Sequence, residues 1–187
     1  MNAYENMNLV KVTDEVFYAK DSPITFGVAE ISFLKNAAKK SVRQRARICT
    51  HSSPDSLIHE MFIGITSRSY IRPHKHLTKT ESFFVIEGEV DIIMLDDLGN
   101  IVAVTELGES GGTKSSYFKM VEHLFHTLIL RSEFLILHEV TNGPFIPNES
   151  ISAPFAPPEL TDAEGDKYLA DLKEKLKMFY LYGGIKK

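Results

Sequence analysis

Four side chains in the middle of the chain have the chemistry and the spacing of a metal-binding set. His74 and His76 are separated by one residue, Glu81 follows shortly after them, and His126 lies in a later apolar segment. Neutral imidazoles and carboxylates are common ligands of divalent transition metals. Because alternate residues of a β-strand point to the same side, His74 and His76 would reach into one interior from a single strand.

Glu81 has the opposite parity, so it cannot join the two histidines from the same unbroken strand. The polar segment Leu77–Thr80 can turn the chain, and Glu81 can then open the next strand. If His126 faces inward on its own strand, Leu128 and Leu130 share that face. The alternate residues, expected to face outward or toward a second sheet, are Phe125, Thr127 and Ile129.

Short apolar segments rich in β-branched and aromatic residues dominate the chain from His59 to Val140. The predicted strands are Met61–Ile65, Ser82–Ile86, Val90–Leu95, Ile101–Leu107, Tyr117–Met120, Phe125–Leu130 and Phe134–Val140. Turn signals separate these strands, which favours an all-β sandwich or barrel of the jelly-roll kind. We find no helical crossover of the kind that a parallel α/β sheet requires.

Two amphipathic segments flank the strands. Residues 29–43 predict a helix with one apolar stripe, formed by Ile31, Leu34, Ala38 and Val42. A second helix is predicted to begin at Thr161 and to end before Gly183 and Gly184. Its apolar stripe consists of Tyr168, Leu169, Leu172, Leu176 and Phe179. The Pro-rich residues 143–160 predict an extended wrap along the surface, and Val16–Tyr18 predicts a short strand at a sheet edge.

A chain of this length is expected to form one domain over residues 1–187. Its parts would be an N-terminal helix with its lead-in (28–58), a barrel core with the metal site (59–145), and the Pro-rich wrap with the C-terminal helix (146–187). The bare edge strands of such a barrel invite a partner, so we expect a homodimer.

The composition is that of an ordinary globular protein, with 43% apolar and 25% charged residues and a net charge of −4. This charge gives no general attraction to nucleic acid or to an anionic membrane, and no apolar run approaches the roughly 20 residues of a membrane span. Cys49 is the only cysteine, which fits a reducing cytoplasm. Residues Met1–Glu5 lack the features of a signal peptide, so we expect a cytoplasmic protein.

The pattern His74-x-His76-x4-Glu81-x6-Gly88 resembles the first signature motif of the cupins, small antiparallel β-barrels that hold a metal in their mouth. His126 fits the place of the histidine in the second cupin motif. Flanking segments are similar to those of the WbuC-type cupin metalloproteins, namely Arg72–His76, Glu81–Phe83, Ile86–Gly88, Asp96–Gly99, His126–Thr127 and Gly143–Phe145. Upstream, the residues similar to that group are Arg45, Arg47 and His51. The resemblance covers roughly residues 28–160.

This resemblance implies a cupin barrel, a double-stranded β-helix or jelly roll, with an N-terminal helical segment and a C-terminal helix. It also implies one divalent metal ion, with Zn, Fe, Mn and Ni all compatible, held by His74, His76, Glu81 and His126. The chain departs from the second motif because Val121 and His123 stand in its proline and glycine places. His123 is therefore a substitute for the fourth ligand or its neighbour.

Three imidazoles and a carboxylate leave coordination positions open, as in catalytic metal sites. The WbuC resemblance implies a sugar or nucleotide-sugar ligand in the biosynthesis of bacterial surface polysaccharide, notably O-antigen. The first hypothesis is an isomerase or epimerase in which the metal polarises a carbonyl. Two alternatives stay open, an iron-dependent dioxygenase and a non-catalytic, metal-dependent binding or sensor module.

The sequence offers several candidates for the remaining roles. The candidate acids or bases are His123, Glu60 and Tyr70, and the candidate ligand-binding cations are Arg47, Arg72 and Lys79. The basic cluster is either a solvated helix face or a site for an anionic substrate, and consists of Lys39, Lys40, Arg43, Arg45 and Arg47. Glu139 lies in an apolar strand and predicts either a buried ion pair or a role in ligand binding. The histidines expected to be structural are His51, His59 and His138.

Overall fold

Two β-sheets face each other, and a helix covers the outer side of each. The computed structural model describes Tyr4 and residues 6–120, 123–159 and 162–183. The helices are α1 (Val28–Lys40) and α2 (Asp162–Leu181). The strands are β1 (Leu9–Lys11), β2 (Val16–Ala19), β3 (Arg45–Cys49), β4 (Ile58–Thr66), β5 (His74–His76), β6 (Glu81–Glu87), β7 (Val90–Leu95), β8 (Ile101–Leu107), β9 (Tyr117–Met120), β10 (Phe125–Leu130), β11 (Phe134–Asn142) and β12 (Ser150–Ser152).

The larger sheet has the strand order β1-β2-β3-β4-β11-β6-β9, and the smaller sheet has the order β12-β5-β10-β7-β8. The paired strands run antiparallel, with the exception of β2 and β3, which are parallel. Helix α1 lies in the connection between these two strands. The sequence-based statement that no helical crossover is present is therefore wrong at this place, although the fold remains all-β.

Strand alternation divides each sheet into an inner and an outer face. The inner faces meet in one apolar cluster made of Ile65, Phe83, Val85, Leu135 and Leu137 from the larger sheet and Val90, Ile92, Leu107 and Leu128 from the smaller sheet. On the outer face of the larger sheet, Leu34 of α1 packs with Ile48 and Ile136. On the outer face of the smaller sheet, α2 packs against Ile93, Phe125 and Ile129, through its residues Leu169, Leu172 and Leu176.

This arrangement confirms the predicted fold class, an all-β jelly-roll barrel with an N-terminal helical segment and a C-terminal helix. The predicted parity of β10 is also confirmed, because Leu128 belongs to the inner cluster while Phe125 and Ile129 pack beneath α2. Four predicted strands agree with the structure at both ends, namely Val90–Leu95, Ile101–Leu107, Tyr117–Met120 and Phe125–Leu130. The sequence did not predict β1, β3 or β12. Because β1 pairs with the outer side of β2, the predicted edge position of β2 is wrong.

Both helices end near the predicted positions. The first ends at Lys40, where the backbone N–H of Ser41 donates to the carbonyl oxygens of Ala37 and Ala38. Val42 therefore lies beyond the helix and is 78% exposed, so its predicted place in the apolar stripe is wrong. Helix α2 ends at Leu181, as predicted. The predicted start at Thr161, together with Gly184 and Val121, lies outside the described residues, as do Met1–Ala3 and Glu5.

Gly88 ends the motif that resembles the cupins, and it forms the turn that joins the two sheets. Its φ is +93°, and a Cβ atom at this position would lie 2.2 Å from the carbonyl oxygen of Phe134. Only glycine fits a left-handed backbone this close to another chain segment. The turn carries the chain from β6 in the larger sheet to β7 in the smaller one.

Among the described residues, neither helix has the length and apolar character of a membrane span.

Candidate metal site

Three histidines from the smaller sheet and one glutamate from the larger sheet meet between the sheets. His74 and His76 lie on β5, and His126 on β10 is the register partner of His74. Glu81 is the first residue of β6. The predicted turn before Glu81 thus carries the chain from one sheet to the other, which explains how a residue of opposite parity joins the histidines. His76, Glu81 and His126 are all buried, with exposed fractions of 8%, 7% and 1%.

The three histidines converge on one point, and Glu81 lies beside two of them. One ring nitrogen from each of His74, His76 and His126 lies within 4.8 Å of the others. The Nε2 atoms of His76 and His126 lie 2.8 and 3.3 Å from the two carboxylate oxygens of Glu81. In the described part of the chain, His76 Nε2 and Glu81 Oε2 are buried and make no hydrogen bond. Electron-rich atoms buried this closely require a cation between them, either a proton or a metal ion.

Hydrogen bonds at the far nitrogen of each ring fix its orientation. The partners of Nδ1 are the carbonyl oxygen of Arg72 (3.0 Å from His74), the carbonyl oxygen of Leu124 (3.3 Å from His126) and the hydroxyl of Ser150 (2.8 Å from His76). Because a carbonyl only accepts, Nδ1 carries the proton in His74 and His126, and their Nε2 atoms present lone pairs when the rings are neutral. Such outer hydrogen bonds orient the histidine ligands of metal ions.

The charge states also suit a metal ion. Burial, together with the neighbouring His126, lowers the pKa of His74 to about 4, so this ring is neutral at pH 7. Burial alone would raise the pKa of Glu81, but the adjacent rings of His126 and His76 hold it well below its usual range. Neutral imidazoles and an ionised carboxylate are the forms that bind metals. The donor set therefore fits a divalent transition-metal ion.

The four candidate ligands line one wall of a cavity of about 460 Å³ between the sheets. Its apolar lining includes Met61, Ile63, Ile65, Ile71, Phe83, Leu128 and Leu137. Its polar lining includes Tyr18, Arg43, Arg45, Arg47, Cys49, His51, His59, Lys79, Glu139 and Thr141. A space of this size accommodates a small organic molecule such as a sugar derivative.

Only two of the three predicted ligand-binding cations reach this cavity. Arg47 and Lys79 line it, whereas Arg72 is not among its lining residues. The guanidinium of Arg72 instead donates to the carbonyl oxygen of Ala153 at 2.8 Å. Its contribution to the site is its own backbone carbonyl, which holds the ring of His74. The structure thus places the Arg72 side chain outside the cavity lining, and its role in ligand binding stays a prediction.

The three predicted acids or bases do not line the cavity. His123 is exposed, and its Nδ1–H donates to the backbone carbonyl of His76 at 2.7 Å. Glu60 has a half-exposed side chain that lies 3.8 Å from His138, and the adjacent Met61 takes the inner face of β4 instead. The hydroxyl of Tyr70 donates to the carbonyl oxygen of Pro157 at 2.9 Å. The structure therefore does not bring these side chains to the four candidate ligands.

Glu139 is the residue whose importance the sequence left undecided. It lies on β11 and pairs with Phe83. It is two residues from Thr141, the register partner of Glu81. Burial, reinforced by the charge of Glu81, raises the pKa of Glu139 to about 8, against the opposing effects of Arg47 and Lys79. A carboxyl group with this pKa is populated in both protonation states near neutral pH. The sequence gives no signal that identifies this residue, because Leu135, Ile136 and Leu137 are apolar on both faces of the strand.

A family model described as a domain of unknown function (DUF6016) matches residues 28–107, which is fewer than half of the 187 residues. No curated protein matches the chain.

Solved structures with a similar arrangement include three distant examples. Protein SO0799 from Shewanella oneidensis has a TM-score of 0.47 and 13% identity, over 66% of this chain and 78% of that one. The Cnp3 cupin domain from Schizosaccharomyces pombe has a TM-score of 0.40 and 9% identity, over 53% and 64% of the two chains. KdgF from Halomonas sp. has a TM-score of 0.41 and 13% identity, over 56% and 82%. At such values these similarities support no statement about this chain's ligand or reaction.

The hydroxyl of Ser150 is expected to contribute to metal affinity although it cannot reach the metal itself. Replacement by alanine removes the partner of His76 Nδ1, so Ser150→Ala should weaken metal binding by about tenfold or more. Competition with a chromophoric chelator measures this change. Ser152→Ala, on the same strand but without a hydrogen bond to a ring of the site among the described residues, is the matched control and should bind as tightly as the parent. Equal losses in both variants would contradict the assigned role of Ser150.

The raised pKa of Glu139 predicts a pH-dependent gain in stability when its charge is removed. A folded pKa above the unfolded value means that the folded state binds the extra proton, so the free energy of unfolding falls as pH rises from about 4.5 to about 8. In metal-free protein, Glu139→Gln should therefore be about 1–3 kcal/mol more stable than the parent at pH 8 and nearly equal at pH 5. Urea denaturation at the two pH values tests this, with Glu60→Gln on the outer face as control. A gain that does not depend on pH would refute the explanation.

Proposed function

We propose that this protein is a metal-dependent enzyme that moves a proton within a sugar substrate, as isomerases and epimerases do. The observation that supports a metal most strongly is the convergence of three imidazoles, with Glu81 beside two of them and two buried atoms there lacking a hydrogen-bond partner among the described residues. Four protein ligands would leave one or two coordination positions open toward the cavity. A metal bound there would supply Lewis-acid polarisation of a substrate carbonyl.

Glu139 is the proposed proton-transfer group. It lines the same cavity as the four candidate ligands, and its burial holds its pKa above that of an ordinary carboxyl, which favours a group that both accepts and releases a proton. It would take the proton from the carbon next to the substrate carbonyl. In an isomerase it would return that proton to the former carbonyl carbon on the same face, while the hydroxyl proton passes to the former carbonyl oxygen; in an epimerase, water on the opposite face would return a proton to the same carbon. This transfer consumes no oxidant and needs no second substrate.

The size and lining of the cavity favour a polar molecule of sugar size over a purely apolar one. With the WbuC resemblance, we propose a sugar or nucleotide sugar of bacterial surface polysaccharide biosynthesis. A carboxyl poised for proton transfer is useful to an isomerase or epimerase, whereas a dioxygenase or a sensor module gives it no evident role. Those two functions remain the outcomes against which the proposal is tested.

Metal content is the first test of this proposal. Protein purified without chelator or nickel affinity resin should contain about one transition-metal ion per chain by elemental analysis, and His76→Ala and His126→Ala should lose it. His123→Ala is the control, because the His123 ring donates to the backbone carbonyl of His76 and is not among the residues that line the cavity. A parent protein that holds no metal, even after reconstitution, would contradict the proposal.

The metal-loaded protein then serves to distinguish the three functions. In deuterium oxide, an isomerase or epimerase exchanges the proton next to a sugar carbonyl, and proton NMR detects the exchange across keto sugars, sugar phosphates and nucleotide sugars. Glu139→Gln should abolish the exchange while it keeps its metal. Oxygen consumption by an iron-loaded protein would instead indicate a dioxygenase. Tight sugar binding without exchange would indicate a binding module.

A further inference from the structure

The inner face of the larger sheet arranges three charged groups along one diagonal. The register places Glu81 on β6 and places Glu139 on the adjacent β11, two residues further along the strand direction. Arg47 on β3 lies two residues further again in the same direction. Three strand spacings separate β6 from β3, which corresponds to about 14 Å across the sheet. Glu139 therefore lies between the candidate metal ligands and Arg47.

Arg47 faces the cavity because of its position in β3. Its neighbours Ala46 and Ile48 pack on the outer face with α1. Alternation then directs Arg47 to the inner face, where it lines the cavity. Its charge is felt by both Cys49 and Glu139.

The other cations of the cavity already have carboxylate partners. Arg43 binds Glu15, and Arg45 binds Glu159 at 2.6 Å. Lys79 lies 3.5 Å from Glu149. Across the described residues, the Arg47 side chain has no hydrogen bond or ion pair of its own. Its guanidinium is thus free to bind an oxyanion in the fork geometry that suits phosphate and carboxylate.

We propose that Arg47 anchors a phosphate or carboxylate group at the far end of the substrate, while the carbonyl end lies at the metal site. The substrate would then be an acidic sugar derivative, extended across the cavity, with its reacting carbon beside Glu139. This inference rests on the proposed function and adds a substrate class and an anchoring residue to it.

Anion binding to metal-free protein tests the anchor separately from the metal. After treatment with EDTA, the parent protein is titrated by calorimetry at constant ionic strength with glucose 6-phosphate, glucuronate, inorganic phosphate and glucose. At least one of the anionic probes should bind more tightly than neutral glucose. A preference for glucose 6-phosphate over glucuronate indicates a phosphate-bearing substrate, and the reverse preference indicates a carboxylate.

Variants at Arg47 decide whether this residue is responsible. Arg47→Gln should weaken binding of the anionic probe by about tenfold or more, the effect expected for lost hydrogen bonds to a charged group. Arg47→Lys, which keeps the charge but loses the fork, should retain part of the binding. Arg68→Gln removes the same charge from an exposed residue outside the cavity lining and should have no effect.

Three results would overturn the proposal: no anion bound by the parent protein, Arg47→Gln binding as tightly as the parent, or equal losses in Arg47→Gln and Arg68→Gln. Circular dichroism and thermal unfolding of each variant show that it is folded under the conditions of the titration. The metal content of the same preparations before EDTA treatment reports on the proposed function independently.

Discussion

The central physical constraint in this structure is the burial of one carboxylate among three imidazoles. Glu81, His76 and His126 have little contact with water, and their facing atoms would repel one another if the rings were neutral and nothing lay between them. Such a group of atoms is stable only with a cation at its centre. The hydrogen bonds to the far nitrogens keep the rings aimed at that centre, which is how a metal site is held ready for its ion.

The two sheets are arranged to maintain this contact. The histidines come from the smaller sheet and the glutamate from the larger one, so the packing between the sheets sets the distance between them. The helices stabilise the sheets from outside, with Leu34 on one face and Leu172 on the other, both almost completely buried. The outer faces therefore provide stability, which leaves part of the inner face available for polar side chains around a cavity.

Much of the barrel could be predicted because its strands are apolar, short and separated by clear turns. The metal-site candidates were identified for a similar reason, since His74 and His76 share a parity and the segment before Glu81 can turn. Strand β3 escaped prediction because Arg45 and Arg47 face the cavity, and these charges hide the apolar pattern of the strand. A polar inner face at a binding site is therefore where sequence patterns are least informative.

Whether Glu60 or Glu139 faces the cavity is a second feature that the sequence did not predict. Helix α1 covers the outer face of the larger sheet, so Met61, Phe62 and Ile63 are all apolar although they alternate between the two faces. Without alternation in the sequence, parity does not reveal which glutamate faces inward. Only the pairing of β11 with β4 and with β6 places Glu139 in the cavity and Glu60 outside it.

Anomalous X-ray diffraction from crystals of protein purified with its own metal tests the central claim most directly. Data collected on both sides of the absorption edge of that metal should show one peak, about 2.0–2.3 Å from the Nε2 atoms of His74, His76 and His126 and from the carboxylate of Glu81. A peak at another place would contradict this account. So would a density map in which His76 and Glu81 are in direct hydrogen-bonding contact with no metal between them.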